Sequence, residues 1–420
     1  MEAGLFRFLR FSLGLEGEAK GLLDGRKGSF DWDACYQFAK RQTLVGVLFD
    51  GIQRLPKELA PARPLLLRWL SDSESIRRRN MRIDRASAYI YNKVCAAGFR
   101  CCILKGQGNA LLYPHPSSRT PGDVDVWVMA NREELRHIAL SLTEGDGSSL
   151  QESLNHIGLT VHGVSVELHS TPALLNSPLH NSRLQKWRKR NADLQCSNRI
   201  ALPNNAGEVA VPTLSFNIIY QLCHLFHHCF YEGVGLRQIV DYYFVLMNTD
   251  FSGNTDEASG NTDGVSGNTD EGCLFLNTDC ADFLDSSSGG LGEVDSGGAL
   301  VALQEELKWL GLWEFAGAVM YVLREVMGLD EKRMICAPDE RRGRLLLEEI
   351  MAGGNFGHYD TRNHFGQGAL WHNIQRFRRD WRMLRFYPSE ALSEPLFRAW
   401  HFLWRWKQKH IGMPKERNLN

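Results

Sequence analysis

Asp123 and Asp125 stand one residue apart in the stretch Gly122-Asp-Val-Asp-Val-Trp-Val128. On a β-strand alternate side chains share a face. Both carboxylates and Trp127 are therefore expected on one side, and Val124, Val126 and Val128 on the other. The valine face can enter a core. The carboxylate face needs water, a cation or a metal, because adjacent carboxylates repel and are costly to bury unpaired. Hard divalent ions such as Mg2+ take oxygen ligands of this kind, with substrate phosphates completing the shell. A second segment, His162 to His169 (HGVSVELH), repeats the alternation. Val164, Val166 and Leu168 form its apolar face, and Ser165, Glu167 and His169 the other. If the two strands are neighbours, Glu167 joins the aspartates as a third ligand. Three carboxylates on adjacent strands suit two ions about 3.5–4 Å apart, which activate an attacking oxygen and stabilise a leaving phosphate. His169 could orient a metal ligand, bind substrate or be structural.

These residues need elements to hold them. Cys101 to Leu104 reads as an apolar strand, Lys105–Gly106 as a tight turn, and the residues to Tyr113 as a short helix. Gly106 and Gly108 would let backbone amides approach a phosphate, and a helix N-terminus favours an anion. Lys105 could neutralise a β- or γ-phosphate, or be a surface lysine at a strand end. Arg119 lies in a loop of turn formers, four residues before Asp123. Its guanidinium could grip a phosphate, or pair with Asp123 or Asp125. Asn131 is a helix N-cap with Glu134 three residues on. Residues 157–161, His162–Gly163 and residues 164–169 read as a hairpin that delivers Glu167.

The order of these elements resembles the uncharacterised bacterial nucleotidyltransferase family, within the superfamily typified by DNA polymerase beta. The pattern is an apolar strand (Ile103–Leu104), Lys105–Gly106, a helix ending in Tyr113, a loop Arg119, Asp123-x-Asp125, and Val166-Glu-Leu-His169. It continues into Gly235-Leu-Arg-Gln-Ile-Val-Asp241 and Gly353-Gly-Asn-Phe-Gly357, although its dense matching is confined to about residues 100–170. The resemblance implies an α+β fold: a small mixed-sheet polymerase-beta-like core flanked by N- and C-terminal helical regions. It implies Mg2+ as cofactor, as two ions that Mn2+ could replace, held by Asp123, Asp125 and Glu167, with Glu167 completing the site of the catalytic ion. Lys105, Gly106 and Arg119 would hold a nucleoside triphosphate. An acceptor hydroxyl, on a small molecule, protein or sugar, would attack its α-phosphate and release pyrophosphate. Two other readings stay open: a nucleotide-sugar glycosyltransferase, where Asp-x-Asp also holds a metal on a diphosphate, and a non-catalytic nucleotide-binding protein.

The 420 residues suffice for two or three domains. The expected division is a helical region 1–95, a core 96–205, helices 206–247, an insert 248–299 and a helical C-terminal region 300–420. The ten cysteines include no C-x-x-C pair, which argues against a zinc ribbon or disulfide framework and fits a reducing, cytoplasmic setting. The N-terminal residues are not expected to act as a secretory signal, and no apolar run approaches the roughly 20 residues that span a bilayer. The net charge of −1 hides an asymmetry, because residues 248–299 hold eleven Asp and Glu and no Lys or Arg. Without them the rest carries −1 + 11 = +10. The insert repeats SGNTD at Ser252, Ser259 and Ser266, a composition that favours disorder over packing; its aspartates could bind calcium but lack EF-hand spacing.

Elsewhere the reading is mainly helical. Arg77 to Arg79 on a long charged helix read as a solvated face. His224 and His228 share a helical face, but with no evident third ligand they read as packed histidines rather than a zinc pair. Arg237 and Asp241 are spaced for a helix-surface ion pair, and either could approach substrate. Residues 371–420 hold eleven Lys and Arg, four Asp and Glu, and five tryptophans. Such mixtures can bind nucleic acid or anionic membranes. An amphipathic helical core with a solvated basic face is the expectation, and nucleic acid is not an expected partner.

Overall fold

The computed structural model describes residues 2–17, 30–143, 150–251, 297–360 and 369–411. The turn expected at 144–149 and residues 252–296 of the insert, with its repeats and calcium-binding aspartates, lie outside these residues. So do residues 361–368 and 412–420.

Four helices come first: α1 (Glu2–Ser12), α2 (Trp32–Arg41), α3 (Val45–Gln53) and α4 (Arg63–Ala96). The core follows, with β1 (Cys101–Leu104), α5 (Gly106–Ala110), β2 (Val124–Val128), α6 (Arg132–Leu142), β3 (Gln151–Glu152), β4 (His156–Val161) and β5 (Val164–His169). Next come α7 (Pro178–Ser197) and a hairpin of β6 (Arg199–Leu202) and β7 (Gly207–Ala210), which crosses the boundary drawn at residue 205. The remainder is helical: α8 (Leu214–Tyr231), α9 (Leu236–Met247), α10 (Gly297–Trp309), α11 (Trp313–Met327), α12 (Glu340–Gly353), α13 (Ala369–Leu384) and α14 (Pro388–Ile411).

The fold is α+β, and its five-stranded sheet has the order β1-β2-β5-β4-β3. Strands β2 and β5 run parallel, and every other pairing is antiparallel, so the sheet is mixed. The parallel register sets Asp125 opposite Glu167. Hairpin β4–β5 turns on two residues with positive φ, His162 (49°) and Gly163 (72°), the geometry that suits strand twist. Asn131 caps α6 reciprocally with Glu134, as the spacing predicts.

Strand β2 is buried along its whole length. Its aspartate side is covered by α8, where Trp127 stacks on Phe216 at 5.7 Å and Phe216 on Trp187 at 4.5 Å. Burying each such ring contributes about 1.5–3 kcal/mol. Helix α4, 34 residues and therefore about 51 Å long, ties the N-terminal helices to the sheet. Asn80 on it donates to the carbonyls of Ser117 and Arg119, both at 2.9 Å, and Asp50 of α3 accepts from the Ser118 hydroxyl at 2.9 Å. The N-terminal helices thus clamp the loop that carries Arg119. Of the basic run, Arg77 pairs with Glu74 while Arg78 and Arg79 face solvent.

The last two helices depart from the expected amphipathic core. Phe377, Trp381, Leu392, Leu396 and Trp400 face outward, whereas Asp380, Glu390 and Glu394 are buried. Their inner face joins the core through Met383, Tyr387 and Ala391 and adds polar anchors: Glu390 accepts from the backbone N–H of Asn176 at 2.7 Å, and Arg379 donates to the Phe230 carbonyl. Among the described residues no helix is long and apolar enough to cross a membrane.

Candidate active site

An open cleft lies where the sheet edge meets α8 and α9. Strand β1 is followed by Lys105, which adopts φ 49° and ψ −122°, a conformation costly for a residue with a Cβ. The turn sends its ammonium into the cleft, 2.9 Å from Asp125 Oδ2 and 3.0 Å from His224 Nε2. Helix α5 after it is only five residues long.

Asp123 immediately precedes β2 and is exposed at the cleft, and Asp125 is buried within the strand. With Glu167 they form a cluster whose ligand oxygens all lie within 4.8 Å of one another. His169 ties two of them together, its Nε2 lying 3.0 Å from Asp125 Oδ1 and 3.3 Å from Glu167 Oε2. His156 Nε2 stands 3.7 Å from Glu167 Oε1.

The charges respond to one another. Asp123 is raised above the usual aspartate value, chiefly by the negative charge of Asp125 and then by loss of water. Burial would raise Asp125 as well, but the Lys105 ammonium and the His169 hydrogen bond outweigh it and hold Asp125 well below the carboxylate range. Glu167 is lowered too, because the His169 hydrogen bond outweighs burial. Burial disfavours charge on His169, yet the Asp125 and Glu167 carboxylates lift it to about 9. In this state Lys105 and the His169 imidazolium balance two of three carboxylates.

The donor set suits a hard divalent cation, with three carboxylates converging from two adjacent strands. His156, Glu167 and His169 form a second cluster, whose imidazoles are softer and already engaged with these carboxylates. His224 and His228 belong to neither cluster. They lie 2.9 Å apart, Nε2 to Nε2, so they are packed histidines in contact with each other, and His224 also contacts Lys105. Burial and the Lys105 charge keep His224 far below the usual histidine value.

Arg119 is brought to the same cleft but pairs with neither Asp123 nor Asp125. Its Nε and Nη2 donate to the two oxygens of Asp241 on α9, at 2.7 and 2.8 Å, and Tyr113 donates to Asp241 at 2.7 Å. The surface ion pair expected between Arg237 and Asp241 does not form. Both residues are buried, and Arg237 Nη1 instead donates to the Thr120 carbonyl at 2.9 Å. The cause is long-range: Asp241 faces inward, where the clamped loop supplies a better-aligned guanidinium. Arg119 Nη1 and Arg237 Nε remain buried without a hydrogen-bond partner, on two residues that line the cleft. Unsatisfied buried donors of this kind are uncommon and suit an anion.

Gly353–Gly357 is a wall rather than a phosphate cradle. It sits against the α8–α9 turn so closely that a Cβ on Gly233 would stand 2.9 Å from the Gly357 nitrogen, and it sends Phe356 into the cleft. The sequence did not place His224, Gln221 or Phe356 at the site, and for Arg237 and Asp241 it offered a surface pair or an approach to substrate. Gln221, His224 and His228 do recur at i, i+3 and i+7, a polar line on a mainly apolar helix.

Residues 28–258 match the family model described as uncharacterised nucleotidyltransferase. No curated protein matches the chain. Among solved structures, an antigenic nucleotidyltransferase-like protein from Paracoccidioides brasiliensis aligns at 16% identity, over 39% of this chain and 75% of that one, with a TM-score of 0.26.

Proposed function

The chain belongs to the uncharacterised nucleotidyltransferase family, and we propose that it moves a nucleoside monophosphate from a nucleoside triphosphate to an acceptor hydroxyl, with Mg2+. The observation that carries this reading is the convergence of Asp123, Asp125 and Glu167 within 4.8 Å, two of which line a cleft shared with Lys105, Arg119 and Arg237. Acidic ligands and cationic phosphate partners in one concave site match what phosphoryl chemistry needs. Asp123, Asp125 and Glu167 would hold the metal, which when bound polarises the phosphate and lowers the charge at the reacting centre.

The chain's own groups do the rest. The free nitrogens of Arg119 and Arg237 receive triphosphate oxygens, and Asp241 holds Arg119 in the orientation that presents them. Lys105 exchanges Asp125 for a phosphate oxygen as the triphosphate enters. His169 keeps Asp125 and Glu167 ionised and aligned. The acceptor oxygen attacks the α-phosphorus, the bond to the bridging oxygen breaks, and pyrophosphate leaves. The acceptor's proton passes to a Glu167 carboxylate oxygen. Phe356 and Leu225 close the apolar side.

Nucleoside triphosphates labelled at the α- or the γ-phosphorus test this reaction. Incubated with pooled sugars, small alcohols and proteins, the α-label should become acceptor-bound and the γ-label should leave as pyrophosphate. Transfer of the γ-label to acceptor would replace this reading with a kinase.

A further inference from the structure

Helices α13 and α14 offer a surface that nucleotidyl transfer does not use. Leu392, Leu396, Trp400 and Leu403 recur at i, i+4, i+8 and i+11, one face of α14. Each is between 51% and 69% exposed. On α13, Phe377 and Trp381 lie one turn apart, 61% and 68% exposed, with their rings stacked at 6.4 Å. Single exposed apolar residues are ordinary, but a continuous row marks an interaction surface.

The charge on this surface has one sign. Residues 369–411 contain nine Lys and Arg and three Asp and Glu. All three acids, Asp380, Glu390 and Glu394, are buried. The outward faces of these two helices therefore carry no carboxylate of their own, while Arg378 and Arg385 are exposed. Helix α14 is also held flat on the body. Glu390 accepts the backbone N–H of Asn176 and Ser177, and the Arg132 guanidinium lies 4.7 Å from the Trp404 ring near the other end.

We propose that α13 and α14 dock on the surface of an anionic lipid bilayer. Tryptophan and leucine enter the headgroup–acyl boundary, and the arginines lie among the lipid phosphates. A second copy of this face would bring like charges together. Nucleic acid would use the aromatic rings but not Leu392, Leu396 and Leu403, which have no π-face for base stacking. An acidic bilayer satisfies both the aliphatic row and the charge.

Flotation of the full chain with vesicles tests the proposal, using phosphatidylcholine alone and an equal mixture with phosphatidylglycerol. The protein should float with the mixed vesicles only, and added salt should release it. The pair Leu396→Glu and Trp400→Glu should lower vesicle partition by at least about tenfold, with circular dichroism unchanged. Arg385→Glu, a surface change that leaves the fold alone, should weaken retention on the mixed vesicles. Equal retention on both vesicles, retention on neither, or wild-type retention of a natively folded double variant would overturn the proposal. So would a wild-type dimer that the double variant converts to monomer without any lipid binding.

Discussion

Replacing Asp241 by Asn keeps the side-chain shape and one acceptor oxygen but removes a charge. The side chains of Arg119 and Asp241 are 3% and 6% exposed, and three hydrogen bonds of 2.7–2.8 Å converge on the carboxylate. Arg237 lies beside them, so Asp241 is the counter-charge for two buried guanidiniums. Leaving a buried charge without its partner costs about 3–5 kcal/mol, whereas an exposed pair is worth about 0.2–1 kcal/mol. The whole fold is stable by about 5–15 kcal/mol, so the variant should lose a large share of it. Urea unfolding followed by tryptophan fluorescence measures the loss. Removing both charges, with Arg119→Met and Asp241→Leu together, should recover part of it, and the double-mutant cycle should give a coupling of at least about 2 kcal/mol. The pH dependence has a definite sign. Asp241 is lowered from 3.8 in the folded chain, chiefly because Arg119 outweighs burial. Its contribution is therefore present above pH 3.8 and is lost as pH falls through the folded value. A cost below about 1 kcal/mol at neutral pH would place the pair in effectively solvated surroundings and refute the reasoning.

Three further perturbations follow from the same geometry. His169 is raised from 6.5 to about 9 in the folded chain, so its stabilising charge is complete below pH 6.5 and lost as pH rises to about 9. In chelator-treated protein the melting temperature should fall across that window, and His169→Gln should flatten the fall; parallel curves would show that His169 is not charged. Gly233→Ala places a Cβ 2.9 Å from the Gly357 nitrogen at φ 117°, and should cost about 1–3 kcal/mol in thermal unfolding and weaken nucleotide binding by displacing Phe356. Arg237→Met removes a charge-assisted donor from the cleft and should weaken triphosphate binding about 10–100-fold by calorimetry, with little change for the free nucleoside.

Local patterns were legible in the sequence where a local cause sets them. The alternation in residues 123–128 and 164–169 places the strands, and the His162–Gly163 dipeptide and the Asn131–Glu134 spacing fix a turn and a cap. The parallel pairing and its register, which only the structure supplies, then set Asp125 against Glu167. Partnerships across long separations were not legible. Arg119 finds Asp241 across 122 residues, and Lys105 finds His224 across 119, through shape and charge that only the assembled fold brings together. Residues 371–411 fail differently. A hydrophobic face says which side of a helix is apolar, not whether anything covers it, and here Trp381 and Trp400 are uncovered.

The most direct test of the account is calorimetric titration of the wild type and Asp125→Asn with each nucleoside triphosphate, with and without Mg2+. Triphosphate binding should require Mg2+ and be lost in the variant, whose circular dichroism stays native. Triphosphate binding that ignores the metal and survives Asp125→Asn would contradict it, and so would Mg2+-dependent binding of UDP-sugars alone, the result a glycosyltransferase gives.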